Sequence, residues 1–296
     1  MDSLIVRPAR PEDRDAVLAF CKHTWDEFGD YIPDVWDEWL ADRDGVFLVG
    51  ELEGEPVAVG KVTVLNPGEV WLEGLRVSPE HRRHGLAYAY MAGQRPFLAR
   101  LRPRVIRLAT GSHNVAVHHM MEKGHFQHVA SYAHFRAEAD ATVEAPPLET
   151  LGPADAPAIW AILDGSEAFA AGHRLYAAGW RWPKLTESRL AQHLQAGEVV
   201  GFRHAGDAIS ALAVTPHAHD FYEERGRLWA GLLEGEPRTV TELARALQRR
   251  AADLPDREVV AFVPEDSAWP AALKEAGYTE EEMMGFWIFE REVHRN

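Results

Sequence analysis

The segment Leu75-Arg-Val-Ser-Pro-Glu-His-Arg-Arg-His-Gly-Leu-Ala87 connects a predicted strand to a predicted helix. The strand covers the apolar residues Trp71–Val77, and Pro79 ends it because proline has no N–H to donate to a ladder. Gly85 then begins the helix and lets the backbone come close to a ligand. Unpaired N–H groups at a helix N-terminus form a natural site for phosphate. The segment therefore predicts an anion-binding turn between a strand and a helix.

Positive charge is concentrated around this turn. Between Arg76 and Arg107 there are eight arginines and one acid, Glu80, in a chain whose formal net charge is −15. A basic region inside an acidic protein favours a small polyanion and argues against nucleic acid, which the rest of the surface would repel.

Composition limits the class of protein. The 296 residues, 46% hydrophobic and 26% charged, predict two globular domains that can each bury a core. No signal peptide or membrane-spanning run is predicted, since no apolar stretch approaches the ~20 residues that cross a bilayer. Cys21 is the only cysteine, so no intrachain disulfide is possible. We expect Cys21 to be a core residue and the protein to be cytoplasmic.

The residue pattern of the first half of the sequence predicts an α+β fold with a mixed sheet. Strand Leu4–Pro8 precedes a helix that begins at Pro11, and strands Val46–Val49 and Val57–Val64 form a hairpin. Further strands are predicted at Trp71–Val77, Val105–Ala109 and Val129–Phe135, with helices at Leu86–Leu101 and Asn114–Lys123. Pro96 predicts a kink or an early end in the first of these helices. Five aromatic residues before the hairpin are expected to be core residues, a subset of which could form one wall of a substrate pocket: Trp25, Phe28, Tyr31, Trp36 and Trp39.

The motif Arg82-x-x-Gly85-x-Ala87, after a strand ending Leu75-x-Val77-x-Pro79, resembles the acyl-coenzyme A pyrophosphate loop of the GNAT superfamily of N-acetyltransferases. Two other phosphate-binding turns do not fit: no Gly-Lys-Ser/Thr follows, and the dinucleotide-binding glycine triplet is missing. The resemblance implies that two central parallel strands separate and that acetyl-coenzyme A enters between them. It assigns cofactor contacts to Leu75, Arg76, Val77, Arg82, Arg83, His84, Gly85, Leu86, Ala87, Asn114 and Met121.

Glu73 is the candidate catalytic base. An alkylammonium has a pKa of ~10, so a base must remove its proton before it can attack a thioester. Many members of the resembled family carry a carboxylate at this strand position. The alternative is that Glu73 points to solvent or pairs with an arginine.

The helix beginning at Asn114 resembles the second coenzyme A segment of the family. There an asparagine contacts pantetheine, and a tyrosine seven residues later protonates the departing thiolate. Met121 occupies that position here, so the spacing is retained and the acid is absent. A thiolate of pKa ~8.5 can leave without an acid, and His118 or Tyr132 could replace the tyrosine.

The second half repeats the order of elements. Residues 197–215 align without a gap on residues 45–63, and Leu228–Leu232 matches Trp71–Leu75. Ala230 replaces Glu73, and Glu236 and Pro237 fall where the arginine-rich loop would be. We therefore predict a tandem GNAT protein in which residues 1–140 form the acetyl-CoA-binding domain, 141–148 a linker and 149–296 a degenerate copy. Each domain is expected to be a mixed, mostly antiparallel twisted sheet with helices on both faces.

The predicted function is acetyl transfer from acetyl-CoA to a primary amine of a small molecule or peptide, by direct attack in a ternary complex. The alternative is a non-catalytic acyl-CoA-binding sensor or scaffold. No metal site is predicted, because the histidines between 113 and 134 lack the His-Glu-x-x-His spacing. Neither nucleic acid nor membrane is an expected partner, and both monomer and homodimer remain open.

Overall fold

The computed structural model describes residues 4–22, 24, 29–203, 208–217, 226–281 and 285–293. Its strands are β1 Ile5–Pro8, β2 Val46–Leu52, β3 Glu55–Asn66, β4 Glu69–Val77, β5 Val105–Gly111, β6 Gln127–Glu138, β7 Glu149–Thr150, β8 Val199–Arg203, β9 Ile209–Val214, β10 Leu228–Ala230, β11 Leu232–Gly235, β12 Glu258–Pro264, β13 Thr279–Glu280 and β14 Phe286–Glu292. Its helices are α1 Arg14–Cys21, α2 Ile32–Ala41, α3 Leu86–Gly93, α4 Arg95–Leu101, α5 Val115–Lys123, α6 Ala156–Asp164, α7 Glu167–Ala171, α8 Glu187–Ala196, α9 Pro237–Ala251 and α10 Trp269–Glu275.

Contacts divide the chain into two units. Unit 1 comprises Met1–Leu108, Met120–Gln127 and Glu290–Asn296, and unit 2 comprises Ala109–His119 and His128–Phe289. These limits differ from the predicted division at 141–148, because most of β6 lies in unit 2 and the end of β14 lies in unit 1. As a boundary between independently folding domains, residues 141–148 stay a prediction.

The sheet of unit 1 follows the predicted order. Strands β1, β2, β3 and β4 pair antiparallel in sequence, and β5 pairs with β4 in parallel. The hairpin between β2 and β3 has a two-residue turn, Glu53-Gly54, with φ values of 53° and 88°. Positive φ at both turn positions matches the twist of the flanking strands. The register shifts by one residue between Gly50 and Glu51, just before the turn.

Two further predictions about unit 1 are confirmed. The predicted early end near Pro96 is present, since α3 ends at Gly93 and α4 begins at Arg95 with Pro96 in its first turn. Cys21 is fully buried in the core, and burial raises the pKa of its thiol to about 12. Trp36 and Trp39 are also buried core residues, whereas Trp25 and Phe28 lie outside the described residues.

Unit 2 has the strand order expected of a second copy. Strands β7, β8, β9 and β11 form a four-stranded antiparallel sheet, and β10 pairs with β12 in parallel. This repeats the pattern of β1 to β5, with the equivalent of β4 divided into β10 and β11. The α+β class with two GNAT-like halves is thereby confirmed. Among the described helices none is long and apolar enough to cross a bilayer.

Candidate active site

An extra residue in β4 creates the central irregularity of the site. Lys61 of β3 lies opposite Glu73, but Val59 lies opposite Arg76, so β4 has one residue more than β3 between these pairs. Gly74 occupies this β-bulge with a φ of 68°. A bulge leaves a residue unpaired and changes the direction of the strand. The strand that leads to the arginine-rich loop is therefore redirected just after Glu73.

Only glycine fits at the bulge. A Cβ on Gly74 would lie 2.6 Å from the ring of Trp39 in α2, and a positive φ is unfavourable for other residues. Trp39 of α2 therefore covers the bulge at Gly74.

The register places Glu73 on the α2 face of the sheet. Phe47, Lys61 and Glu73 lie opposite one another on three neighbouring strands, so their side chains share one face. Trp36 and Trp39 of α2 pack edge-on against Phe47, with ring centroids 4.9 and 5.3 Å away. Glu73 therefore points towards the side occupied by the aromatic segment and is half-buried.

A neighbouring hydroxyl orients the Glu73 carboxylate. Thr63 Oγ1 donates a hydrogen bond to Glu73 Oε1 at 2.5 Å. The carboxylate thus accepts a hydrogen bond from a neutral donor and is only partly exposed. Its role as the base stays a prediction, as does the alternative of a pair with an arginine.

An ion pair between a buried lysine and a partly exposed aspartate involves the residue opposite Glu73. Lys61 is 3% exposed and bonds to Asp42 and to the carbonyl of Val62. Burial alone would raise the pKa of Asp42, but the hydrogen bond from Lys61 and those from the Asp44 and Gly45 amides hold it below its usual value. The face around Glu73 therefore carries a fixed cation.

The Arg76 side chain is engaged on the protein. Its Nε donates to Asp30 Oδ2 at 2.7 Å, and its guanidinium lies 5.2 Å from the ring centre of Tyr31. Asp30 has no exposed side-chain surface. Because the guanidinium is engaged by Asp30 and Tyr31, the predicted cofactor contact of Arg76 would be made by its backbone.

The arginine-rich loop is exposed and has two left-handed residues. Arg83 and Gly85 have φ values of 65° and 77°, and the space around a Cβ on Gly85 is empty to 4 Å. Arg82 Nε donates to the Val77 carbonyl at 3.2 Å, which ties the loop to the end of β4. Left-handed residues among successive N–H groups form a concave anion-binding surface.

The first turn of α3 supplies donors to the same place. The N–H groups of Leu86, Ala87 and Tyr88 have no hydrogen-bond acceptor within the described parts of the chain. About one turn further along α3, Tyr90 is fully buried, and its hydroxyl lies 3.2 Å from the Leu48 carbonyl and 3.0 Å from that of Gly60. The sheet therefore anchors the helix whose N-terminus is open.

Strands β4 and β5 separate after a short paired segment. Their parallel register covers Glu69–Trp71 and Val105–Arg107, although β4 continues to Val77. Arg107 is buried at the end of this segment, where it pairs with Glu69 and with Glu290. The predicted parting of the two strands is thus present, and an ion triad marks the point where it begins.

The comparisons with known proteins agree with this fold. Residues 14–126 match the acetyltransferase (GNAT) family. This segment has the GNAT fold. A GCN5-related N-acetyltransferase from Sphaerobacter thermophilus shares the fold with a TM-score of 0.65 and 18% identity, covering 99% of this chain and 96% of that chain. A tandem GNAT protein from the clavulanic acid biosynthesis pathway gives 0.58 and 13%, covering 99% and 100%.

Sequence similarity to a curated protein is more local. The histidine N-acetyltransferase of Oreochromis niloticus is 34% identical over 80 residues, which are 27% of this chain and 23% of that protein. The chain therefore spans less than a quarter of that relative's length.

The two predicted cofactor contacts of the second GNAT segment, Asn114 and Met121, differ in how exposed they are. Asn114, in unit 2, precedes α5 and is partly exposed; its Nδ2 donates to Thr110 Oγ1 at 3.1 Å and its Oδ1 accepts from the Val117 amide at 3.4 Å. Met121, in unit 1, is 2% exposed. Little of the Met121 side chain is thus open to a cofactor.

The two candidates for a replacement acid already have contacts within unit 2. His118 Nε2 lies 3.1 Å from the Gly111 carbonyl, and its ring stacks on Trp287 at 4.3 Å. The Tyr132 hydroxyl is buried within 2.9 Å of the Gly172 carbonyl. Among the described residues, no group of three or more histidine, cysteine or acidic side chains could hold a metal ion.

The gap of the degenerate GNAT copy is filled by its own chain. Ala177 N–H donates to the Gly231 carbonyl at 2.9 Å, and a Cβ on Gly231 would lie 1.9 Å from the Ala177 carbonyl oxygen. Trp180 and Trp182 pack on Phe262 of β12 at 5.3 and 5.1 Å. The cavity that remains there is about 10 Å³, about the smallest space that holds one water.

The turn after β11 also lacks a phosphate site. Glu236 precedes α9 directly, and Pro237 opens that helix without an N–H. A negative charge and a missing donor thus replace the open loop of the first copy.

Several site residues were missed by sequence reasoning: Asp30, Asp42, Lys61, Thr63 and Gly74. Gly74 did carry a signal, because a glycine inside a strand often marks a bulge. The other four depend on cross-strand register or on contacts with the segment before α2, which a single sequence does not reveal.

Proposed function

We propose that this protein is an N-acetyltransferase that transfers the acetyl group of acetyl-CoA to a primary amine. The single observation that carries the proposal is a carboxylate on β4 that is followed closely along the chain by a loop and helix start with open N–H groups. Glu73 lies before the bulge of β4 on the α2 face, and the open N–H groups of the loop and α3 follow within fifteen residues. The GNAT family match supports the same reaction class.

The loop residues fit a pyrophosphate. The space around Gly85 is open, the first-turn N–H groups lack acceptors, and Arg82 and Arg83 are exposed beside them. The residues of unit 1 that would hold acetyl-CoA are the backbone of Leu75–Val77 and the loop Arg82–Ala87; the contact of Asn114, which lies in unit 2, stays a prediction from the sequence. When bound, the cosubstrate supplies an acetyl group activated as a thioester.

Glu73 is proposed to accept the ammonium proton of the substrate, directly or through water. The neutral nitrogen then attacks the acetyl carbonyl, the C–N bond forms and the C–S bond breaks. The nitrogen releases its remaining excess proton to solvent, and coenzyme A departs as the thiolate. Thr63 holds the Glu73 carboxylate during this step, and N–H groups after the bulge at Gly74 can donate to the carbonyl oxygen. A thiol of pKa ~8.5 leaves as a thiolate without a dedicated acid, which agrees with the buried Met121.

The acceptor is proposed to be the amine of a small molecule or peptide. The α-amine of free histidine is the first candidate to test, because the relative matched over 80 residues is named for histidine acetylation. Trp36 and Trp39 of α2 lie on the Glu73 side of the sheet, but both are buried in the core and offer little surface to a substrate.

The activity test measures thiol release from acetyl-CoA with histidine, other amino acids, polyamines, aminoglycosides and peptide N-termini. Glu73→Gln should lower turnover by ~10²–10⁴-fold near neutral pH with little change in cofactor affinity. The deficit should shrink at high pH, where the amine is already neutral. Glu55→Gln makes the same change at an exposed position of β3 and should leave the rate unaffected.

Thr63→Val tests the orientation of the carboxylate. Loss of one hydrogen bond should lower turnover by roughly fivefold to tenfold. A Glu73→Gln enzyme as active as wild type near neutral pH would contradict the base assignment. Tight binding of acetyl-CoA without thiol release for every amine would instead support the sensor or scaffold.

The filled gap of the second copy supports a stoichiometry of one acetyl-CoA per chain. Calorimetric titration of the full chain should give one site, because Ala177 already bonds to the Gly231 backbone and Pro237 removes a donor. Two sites per chain would contradict the degenerate copy. A cytoplasmic location and a monomeric or homodimeric state stay predictions.

A further inference from the structure

Unit 1 contains a second open cavity, lined by residues from α4, the start of β5 and the end of β14. Its volume is about 530 Å³, within the range of small-molecule sites. Leu98, Ile106 and Val293 form apolar walls, and none of the loop residues 82–87 lines it. The cavity is therefore separate from the proposed acetyl-CoA contacts.

Three arginines border this apolar cavity: Arg95, Arg102 and Arg291. Arg95 and Arg291 have no acidic partner among the described residues. The flanking sequence from residue 95 to residue 108 has five arginines and no acid. Positive charge thus accumulates at this cavity in a chain of net charge −15.

Arg291 is held in place by the protein. Its Nη1 donates to the Gly124 carbonyl at 3.1 Å, and the guanidinium lies 4.7 Å from the ring centre of Phe126. Burial, and then the positive charge of Arg95, lower the pKa of Arg291. Two like charges therefore face one cavity, and the repulsion between them would be relieved by a bound anion.

We propose that this cavity binds a small organic anion with an apolar body, such as a medium-chain carboxylate. The anionic group would lie between Arg95 and Arg291, whose guanidinium donors form charge-assisted hydrogen bonds with carboxylates. The apolar body would cover Leu98, Ile106 and Val293. Charge and hydrophobic contact must both contribute to affinity.

Calorimetry with decanoate tests the site on the full chain, with decanol as the neutral control of equal length. Decanoate should bind at one site per chain, and decanol at least about tenfold more weakly, the effect of one charge-assisted hydrogen bond or more. Saturating acetyl-CoA should leave decanoate affinity unchanged, because the two sites share no residue.

Three variants locate the site. Arg95→Gln should weaken decanoate by about tenfold. Arg100→Gln is the matched control, since that guanidinium lies over the Phe97 ring, 5.5 Å from its centre, and does not line the cavity. Ala99→Trp should abolish binding by filling the cavity from an exposed position without changing charge. Thermal unfolding of each variant checks that the fold is retained.

Several results would overturn the proposal: no decanoate binding, equal affinity for decanol, displacement by acetyl-CoA, or equal losses in Arg95→Gln and Arg100→Gln. Unimpaired binding by Ala99→Trp would place the ligand elsewhere. Because Arg95 and Ala99 are both exposed, loss of fold in one variant leaves the other to decide.

Discussion

Replacement of Gly85 by aspartate, compared with replacement by asparagine, tests whether the loop binds phosphate through its charge. Gly85 precedes α3 with φ 77° and ψ 6°, and a Cβ there meets no atom within 4 Å. A side chain can therefore be added without a clash. The backbone strain of a non-glycine residue in this region is about 1–2 kcal/mol, and it is smaller for asparagine and aspartate.

The matched control is Gly85→Asn, which has the same shape and no charge. Both variants should lose up to about 1 kcal/mol of unfolding free energy through backbone strain. Only aspartate adds a negative charge beside the proposed pyrophosphate. At a separation of about 5 Å, one pair of like charges repels by ~0.8 kcal/mol at a dielectric constant of 80 and by ~3 kcal/mol at 20.

Calorimetric titration with acetyl-CoA should therefore show aspartate weaker than asparagine by roughly fourfold to 200-fold. The difference should decrease as salt is raised, because the loop is exposed and its charges are screened. Equal affinities for the two variants, or a difference independent of salt, would refute the assignment of a phosphate to this loop.

Two stability predictions concern buried ionisable side chains. Glu290→Gln removes one of the two carboxylates that pair with buried Arg107, and denaturant unfolding should show a loss of about 1–3 kcal/mol, with the exposed neighbour Glu292→Gln near zero. His134 has no partner for either ring nitrogen among the described residues, and burial lowers its pKa from 6.5 to about 3. Unfolding therefore takes up a proton below pH 6.5, so this residue lowers stability by up to ~1.4 kcal/mol per unit as the pH falls towards 3. His134→Phe should flatten that pH dependence in urea unfolding between pH 7 and 4, and parallel curves for the two proteins would contradict it.

The sequence predicted the elements of the first half because its patterns are local. Pro79, Gly85 and Pro96 end or begin elements through their own backbone chemistry, and the structure has strand ends and helix starts near each of them. The α+β class and the duplication were likewise accessible, since strand order follows from the order of apolar segments.

The surroundings of Glu73 could not be predicted from the sequence, for a physical reason. Its face depends on a register that Gly74 shifts by one residue, and a shift of one reverses the alternation of a strand. The donor Thr63 lies ten residues away on the neighbouring strand. The partner of Arg76, Asp30, lies forty-six residues away in a segment with no regular pattern. Contacts of this kind require the folded chain.

The last strand of the sequence, β14, ends in unit 1, and this gives a reason for the chain to retain a second copy that lacks a phosphate loop. Glu290, from the C-terminal half of the sequence, belongs to unit 1 and pairs with Arg107. Val293 N–H donates to the Arg104 carbonyl at 2.8 Å in the same unit. Arg107 stands where β4 and β5 part, so the second half supplies a charge that stabilises the start of the proposed acetyl-CoA gap. Under the proposed function the second copy carries out no transfer of its own. Loss of its last strand would still leave Arg107 with one carboxylate fewer, so the stability of unit 1 by itself gives a reason to retain the second copy.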